Sequence, residues 1–246
     1  MAQPGSDSHN QLLTMLSRDD FRLLEPDLEP LVLPTRFPLE EANKPIKYVY
    51  FMEAGIASVV AVSTHAREIE VGIIGREGMS GVTVVMGNDR SPHSTYIQVA
   101  GRGLRLKADE LRAAMKRSPS LQKCFLHFAQ AFMIQTAHTA LANGRARIEE
   151  RLARWILMAR DRLDSNELPL THEFLALMLG VRRAGVTAAL HELLQQGLVD
   201  STRGNIIVRD RPGLEEAADG SYGVPEAEYR RLTGWRPDRR ITSRGR

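Results

Sequence analysis

From Leu31 to Leu106 the apolar residues come in short runs, among them Tyr48-Val49-Tyr50-Phe51, Ile56 to Val62 and Tyr96-Ile97-Gln98-Val99, with glycine or proline at short intervals between them. Short strands punctuated by turn residues predict an all-β domain of the jelly-roll barrel type. The polar opening up to Asn10 reads as a frayed terminus, followed by a short helix carrying Leu12, Leu13, Leu16, Phe21, Leu23 and Leu24 that caps the barrel.

After Asp109 the period changes from strand-like to helical. Leu121, Phe125, Phe128, Phe132, Gln135, Thr139 and Ala142 recur at alternating steps of four and three between Ser120 and Gly144. Such a stripe over about three heptads predicts a long dimerisation helix in a parallel two-stranded coil, and so a homodimer. The same spacing also fits a helix lying on its own β-domain. Asn143-Gly144 then punctuates the chain, and Arg145 to Leu163 resumes as an amphipathic helix with Ile148, Leu152, Trp155, Ile156 and Ala159 on one face.

Leu170 to Val199 carries the most specific pattern. Thr171 opens a short helix with Phe174, Leu175, Met178 and Leu179 on its buried face, and the helix stops at Gly180. A second helix from about Arg182 to Gln195 turns Val186, Ala189, Leu190 and Leu193 inward, with Gly197 closing it. Small Ala176, turn Gly180 and returning Val186 complete a helix-turn-helix. Leu198 to Val208 reads as two short strands around a Gly-Asn turn, which adds a wing. Gly185 inside the second helix costs about 1 kcal/mol relative to alanine. The predicted class is therefore α+β: an N-terminal jelly-roll β-barrel, a long central helix and a C-terminal winged helix-turn-helix. The expected divisions are 1–117, 118–144, 145–212 and a C-terminal extension over 213–246. In that extension short helices are expected from Gly213 and around Pro225 to Leu232, before a basic tail.

Charge sharpens this picture. Net charge is only +3, but after Gly144 there are 18 basic against 15 acidic residues, and all 18 are arginine. Arginine suits bidentate contacts to phosphate and guanine, so double-stranded DNA is the expected partner. Arg182 and Arg183 fall at the start of the second helix, where recognition helices meet base edges. Arg203 lies at the wing. Arg183 is the candidate for a guanine contact, Arg182 and Thr187 for base or phosphate, and Thr171 or His172 for the DNA backbone.

The single cysteine, Cys124, excludes multi-thiolate metal sites and fits a reducing compartment. With neither a signal peptide nor a membrane span visible, the expected location is the cytoplasm.

The order of these parts resembles the CRP/FNR family of bacterial transcription regulators. The likeness runs from about Leu12 to Val208 and is carried by LTHEFLALMLGVRRAGVTAALHELLQQGLV over residues 170–199 and IKYVYFMEAGIASVV over 46–60. It implies a homodimer on a palindromic operator, RNA polymerase as a further partner, and an effector in the β-domain. Members that bind cyclic AMP hold it with a glycine-glutamate pair and an arginine-serine pair. Here Gly78, Met79 and Ser80 stand in the first segment, with methionine in the carboxylate's place. His93, Ser94 and Thr95 stand in the second, with histidine in the arginine's place. A buried cyclic phosphate lacking its cation is unfavourable, so cyclic AMP is not the expected effector. The family's oxygen sensors need several cysteines for an iron–sulfur cluster, which excludes that cofactor, and haem, for which His65, His93, His127 or His138 would be the axial candidates, is disfavoured. Arg183 matches one basic position of the cyclic-AMP-responsive members, whereas Ala184 and Ala188 replace others, so a different operator is expected.

Three alternatives stand beside this reading. A cupin-like enzyme would need clustered histidines and a carboxylate, yet the β-region offers only the separated His65 and His93. An adaptor whose helix pair binds protein would lack a reason for the wing and the paired arginines. A regulator without an effector, controlled by abundance or a partner protein, is the third.

Overall fold

The computed structural model describes residues 8–235 apart from 64, 66, 67 and 203. Two long strands organise the N-terminal half. β1 (Glu29–Leu33), β2 (Pro38–Glu40), β3 (Tyr48–Val62), β4 (Glu68–Ile74) and β5 (Ser94–Lys107) form one antiparallel sheet ordered β1-β5-β3-β4, with β2 also on β5. The β3–β5 register shifts repeatedly between Met52 and Ala57, where Gly55 takes φ +85°. A side chain at Gly101 would strike the Ala54 backbone. These bulges at close-packed glycines bend both strands and curl the sheet around its apolar face.

The predicted capping helix is two short ones, α1 (Gln11–Thr14) and α2 (Arg18–Arg22), because Ser17 starts a new helix by accepting from the Asp20 N–H at 3.1 Å. Buried Asn10 ties this segment to the sheet, donating from Nδ2 to the carbonyls of Met52 (2.7 Å) and Gly78 (2.8 Å). α3 (Val82–Val85) follows the Gly78–Gly81 loop, and α4 (Ala108–Arg117) leads into the long α5 (Pro119–Arg145).

The predicted dimer stripe on α5 faces the chain's own sheet. Leu121, Phe125, Phe128 and Gln135 are buried, and Phe132 and Thr139 half-buried. Phe125 packs on Phe51 with ring centroids 6.0 Å apart. The Gln135 amide accepts from the Ile73 N–H (2.8 Å) and donates to the Ile73 carbonyl (3.2 Å), as a neighbouring strand would. Assigning those side chains to a partner helix is therefore corrected: an apolar stripe specifies that something covers it, not what. The opposite side of α5 carries exposed Leu126 (41%), Met133 (60%) and Leu141 (57%).

The break expected at Asn143-Gly144 falls slightly later, at Ala146-Arg147, before α6 (Ile148–Leu163). Then follow β6 (Glu167–Leu168), α7 (His172–Leu179), α8 (Arg183–Gln195), β7 (Val199–Thr202), β8 (Asn205–Val208), α9 (Arg211–Ala217) and α10 (Val224–Thr233). The C-terminal domain has a core of its own around Leu152, Trp155, Ile156, Leu175, Val186, Leu190 and Ile206, which extends to Ile56, Ile73 and Val99 of the sheet.

The C-terminal extension turns back on the molecule. α10 packs along α5, with Tyr229 against the β-domain core near Cys124 and its hydroxyl donating to the Glu77 carbonyl at 2.7 Å. Among the described residues no single helix is long and apolar enough to cross a membrane.

Candidate nucleic-acid interface

α7 begins at Thr171, whose Oγ1 accepts from the Phe174 N–H at 3.3 Å. It ends at Gly180, which takes the left-handed conformation at φ +61° while the Val181 N–H reaches back to the Ala176 carbonyl at 3.0 Å. This is a glycine-terminated Schellman ending, and it turns the chain sharply: α7 and α8 meet at 104°. Val186 is fully buried in the same apolar cluster as Ala176, as the spacing predicts. Gly185 lies where α8 passes the start of α6, its nearest neighbour being Ile148.

The turn delivers its polar residues to one face. Arg182 is the N-cap of α8 and Arg183 its first residue. Both are exposed, as are Ala184 beside them and Thr187 and Ala188 about one turn along, and no carboxylate pairs with either arginine among the described residues. The Thr187 hydroxyl donates to the Arg183 carbonyl at 3.1 Å, and its oxygen lies 3.2 Å from His172 Nδ1. With the one hydroxyl proton so used, Nδ1 is the donor of that second bond. Thr171, His172, Arg182, Arg183 and Thr187 thus come together around one convex helix end whose free N–H groups and cations face solvent, an arrangement suited to phosphate and base edges.

Other predicted residues fare differently. Arg203 lies outside the described residues. Thr202 pairs with Asn205, so Asn205 belongs to β8, and Gly204 precedes it in a turn at φ +82°. The arginine excess is not a DNA surface as a whole. Arg147 pairs with Glu150 (2.6 Å), Arg209 with Asp200 (2.6 Å) and Arg211 with Asp161 (2.5 Å). Arg162 is buried against Glu77 at 2.8 Å. Those guanidinium groups are engaged by the chain's own carboxylates.

The expected effector-pocket residues are largely enclosed. Met79 is wholly buried in the core that holds Phe51 and Phe125, and Ser80 Oγ accepts from the Tyr50 N–H at 3.1 Å. A side chain at Gly78 would run into the Phe128 ring, and one at Gly81, at φ +81°, into Val49. Facing this loop is Glu40, which sequence reasoning passed over. Its carboxylate accepts from the Gly81 N–H at 2.7 Å, with burial holding its pKa above the ordinary carboxylate range against hydrogen bonds from Gly81, Ser80 and Thr95. Thr95 is buried, Ser94 and His93 half-buried, and the His93 backbone donates to Ser91 Oγ at 3.0 Å. Glu40 was findable only as an acidic residue within a three-residue strand, a weak signal.

Cys124 is packed, not poised for chemistry: burial pushes its thiol up to about 11, which disfavours the thiolate a metal or nucleophilic role needs. Among the described residues no three histidine, cysteine or carboxylate side chains gather as a metal site.

Two helices joined at a glycine turn and followed by a hairpin define a winged helix-turn-helix domain. Residues 150–217 match the family model described as the Crp-like helix-turn-helix domain, and the chain as a whole has the fold of CRP/FNR regulators. The structure of FixK2 from Bradyrhizobium japonicum superposes with a TM-score of 0.68 at 17% identity, covering 77% of this chain and 96% of that one. A protein described as a crp/fnr-family transcriptional regulator from Eubacterium rectale gives 0.62 at 19% identity, over 86% and 99%. CLP from Xanthomonas campestris, described as a c-di-GMP-responsive global regulator, gives 0.64 at 15%, over 78% and 99%. A search of curated proteins finds no match to the sequence.

Proposed function

We propose that this protein is a homodimeric, sequence-specific transcription regulator that reads a two-fold symmetric operator through the N-terminal end of α8, works in the cytoplasm with RNA polymerase as its second partner, and does not use cyclic AMP. The observation that carries the reading is the pair of unpaired, exposed arginines at the head of a helix held at 104° to its partner, in a domain whose other arginines are mostly engaged. Arg183 is assigned a bidentate guanine contact, Arg182 and Thr187 base or phosphate contacts, Thr171 and His172 backbone contacts, and Arg203 a phosphate contact from the wing.

The dimer contact is assigned to the outward side of α5. Leu126, Met133 and Ala140 follow one another at seven-residue steps, with Ala137 and Leu141 beside them, and all five are exposed. A stripe of this period on a long helix suits a second copy of itself. For the β-domain, the Glu40 carboxylate already occupies the Gly81 N–H, and a phosphate anion brought to that loop would meet like charge. The effector is therefore something other than cyclic AMP, or there is none; neither iron–sulfur nor haem is assigned.

Selection of duplexes from a random library by the purified protein, without added ligand, tests the reading. Enrichment of an inverted repeat with half-sites about 10 base pairs apart is expected. Enrichment of single half-sites by a monomer, or binding independent of sequence, would overturn it. Met133→Glu should convert the dimer to a monomer in sedimentation, with the fold intact.

A further inference from the structure

We propose that Glu70 is a proton-sensitive latch between the β-domain and the DNA-reading domain, holding the two together when its carboxyl group is protonated and loosening them when it ionises. Glu70 sits on β4, enclosed where α6 and α7 lie on the sheet. The Trp155 indole N–H of α6 donates to its Oε1 at 2.7 Å. Ser58 Oγ of β3 lies 2.5 Å from its Oε2, next to the Gln98 amide oxygen of β5 and 3.6 Å from Met178 Sδ of α7. Trp155 in turn packs edge-on against Phe174, 6.2 Å between centroids. One carboxyl group thus links three strands to α6 and, through Ser58 and Trp155, to the first helix of the helix-turn-helix.

Enclosure sets the direction. Each carboxyl oxygen receives one donor, the Trp155 indole N–H on Oε1 and the Ser58 hydroxyl on Oε2, and both favour the ionised form; against them, the group is buried at the domain contact with no cation paired to it among the described residues, which favours the protonated form.

The cations nearest to it are engaged elsewhere. Arg154 of α6 donates to the Ser221 carbonyl (2.9 Å) and Thr139 Oγ1 (3.2 Å), and Arg162 is engaged by Glu77 and the Met158 carbonyl. Tyr96 and Glu68 are the ionisable groups nearby on the sheet, α5 offers only Thr139 and Asn143, and α7 offers Met178. A cavity of about 20 Å³ bordered by Glu70, Arg151 and Arg154 has room for one water. Burial pushes the Glu70 carboxyl up to about 7, outweighing the hydrogen bonds of Ser58 and Trp155 and the attraction of Arg162 and Arg154.

The sign follows from linkage. Undocked, the carboxyl would titrate near the ordinary value of about 4.3, so docking takes up a proton between the two values. Docking therefore strengthens about tenfold as pH falls from 8 to 6. Within the physiological range this makes the contact between sensor and reader a function of pH.

Trp155 reports on it directly. Only Trp155 and Trp235 occur in the chain, so Trp235→Phe leaves a single indole. Its emission should titrate in one step near pH 7 and lose that step in the Glu70→Gln variant. Should Glu70→Gln not fold, Ser58→Ala, which removes a bond favouring the charged form, should move the midpoint upward. No step between pH 6 and 8, or an unchanged step in the variants, would overturn the latch. The second arm measures affinity for an enriched duplex at fixed salt: a change between pH 6 and pH 8 that Glu70→Gln flattens is expected. Equal slopes in both would overturn the coupling. The fluorescence arm needs no DNA, so a failure of the DNA-reading assignment is distinguishable from a failure of the latch.

Discussion

Two glycine-marked turns of this molecule handle the same chemistry in opposite ways. In the β-domain the Gly78–Gly81 loop points a backbone N–H inward, and the chain answers it with its own Glu40 carboxylate. In the reading domain the turn after Gly180 points the head of α8 outward, and Arg182 and Arg183 stay in solvent without a carboxylate partner. The first is enclosed, so leaving its donor unpaired would be expensive; the second is wet, so its donors wait at little cost. A motif's residue types therefore do not tell whether a site awaits a ligand. Whether the chain has already supplied the partner does.

The contrast can be broken from either side. Phe125→Ala strips the enclosed side of a fully buried ring and should cost about 3 to 5 kcal/mol in denaturant unfolding, with sequence preference intact in whatever fraction stays folded. Glu40→Ala orphans the Gly81 N–H and should cost roughly 1 to 3 kcal/mol of stability. It also frees the loop for a foreign anion, so thermal stabilisation by added phosphate should appear in this variant and not in the parent. On the open side, Arg183→Ala should leave the melting temperature unchanged while weakening operator binding by roughly 1 to 3 kcal/mol at one base position per half-site. A uniform loss over all sequences would demote Arg183 to a phosphate contact.

What the sequence reveals follows the same division. The strands, the helix-turn-helix and the wing were legible because each is punctuated locally by glycine, proline or a cap, and Thr171, Gly180 and Val186 hold their predicted places. The direction of the α5 stripe was not, since Phe125 and Phe128 satisfy the same period against a sheet as against a partner helix. Glu40 and Glu70 were missed for a related reason. In Glu68-Ile69-Glu70 the alternation reads as the wet face of a strand, and only the arrival of Trp155 and Met178 from 85 and 108 residues further along the chain makes that face interior. Partners so distant leave no mark on local pattern.

The path of the chain through its two halves has a consequence for how the molecule is made. It passes from sensor to reader and then returns, because α10 lays Tyr229 into the core built around Phe51 and Phe125. During synthesis the β-domain emerges first, yet the flank of α5 near Cys124 stays uncovered until residues 224–233 leave the ribosome. A cut at the hinge near Ala146 therefore does not release a finished sensor domain. It releases one that lacks its last helix, and the final ten-residue segment of the described fold acts as the keystone of the domain that was made first.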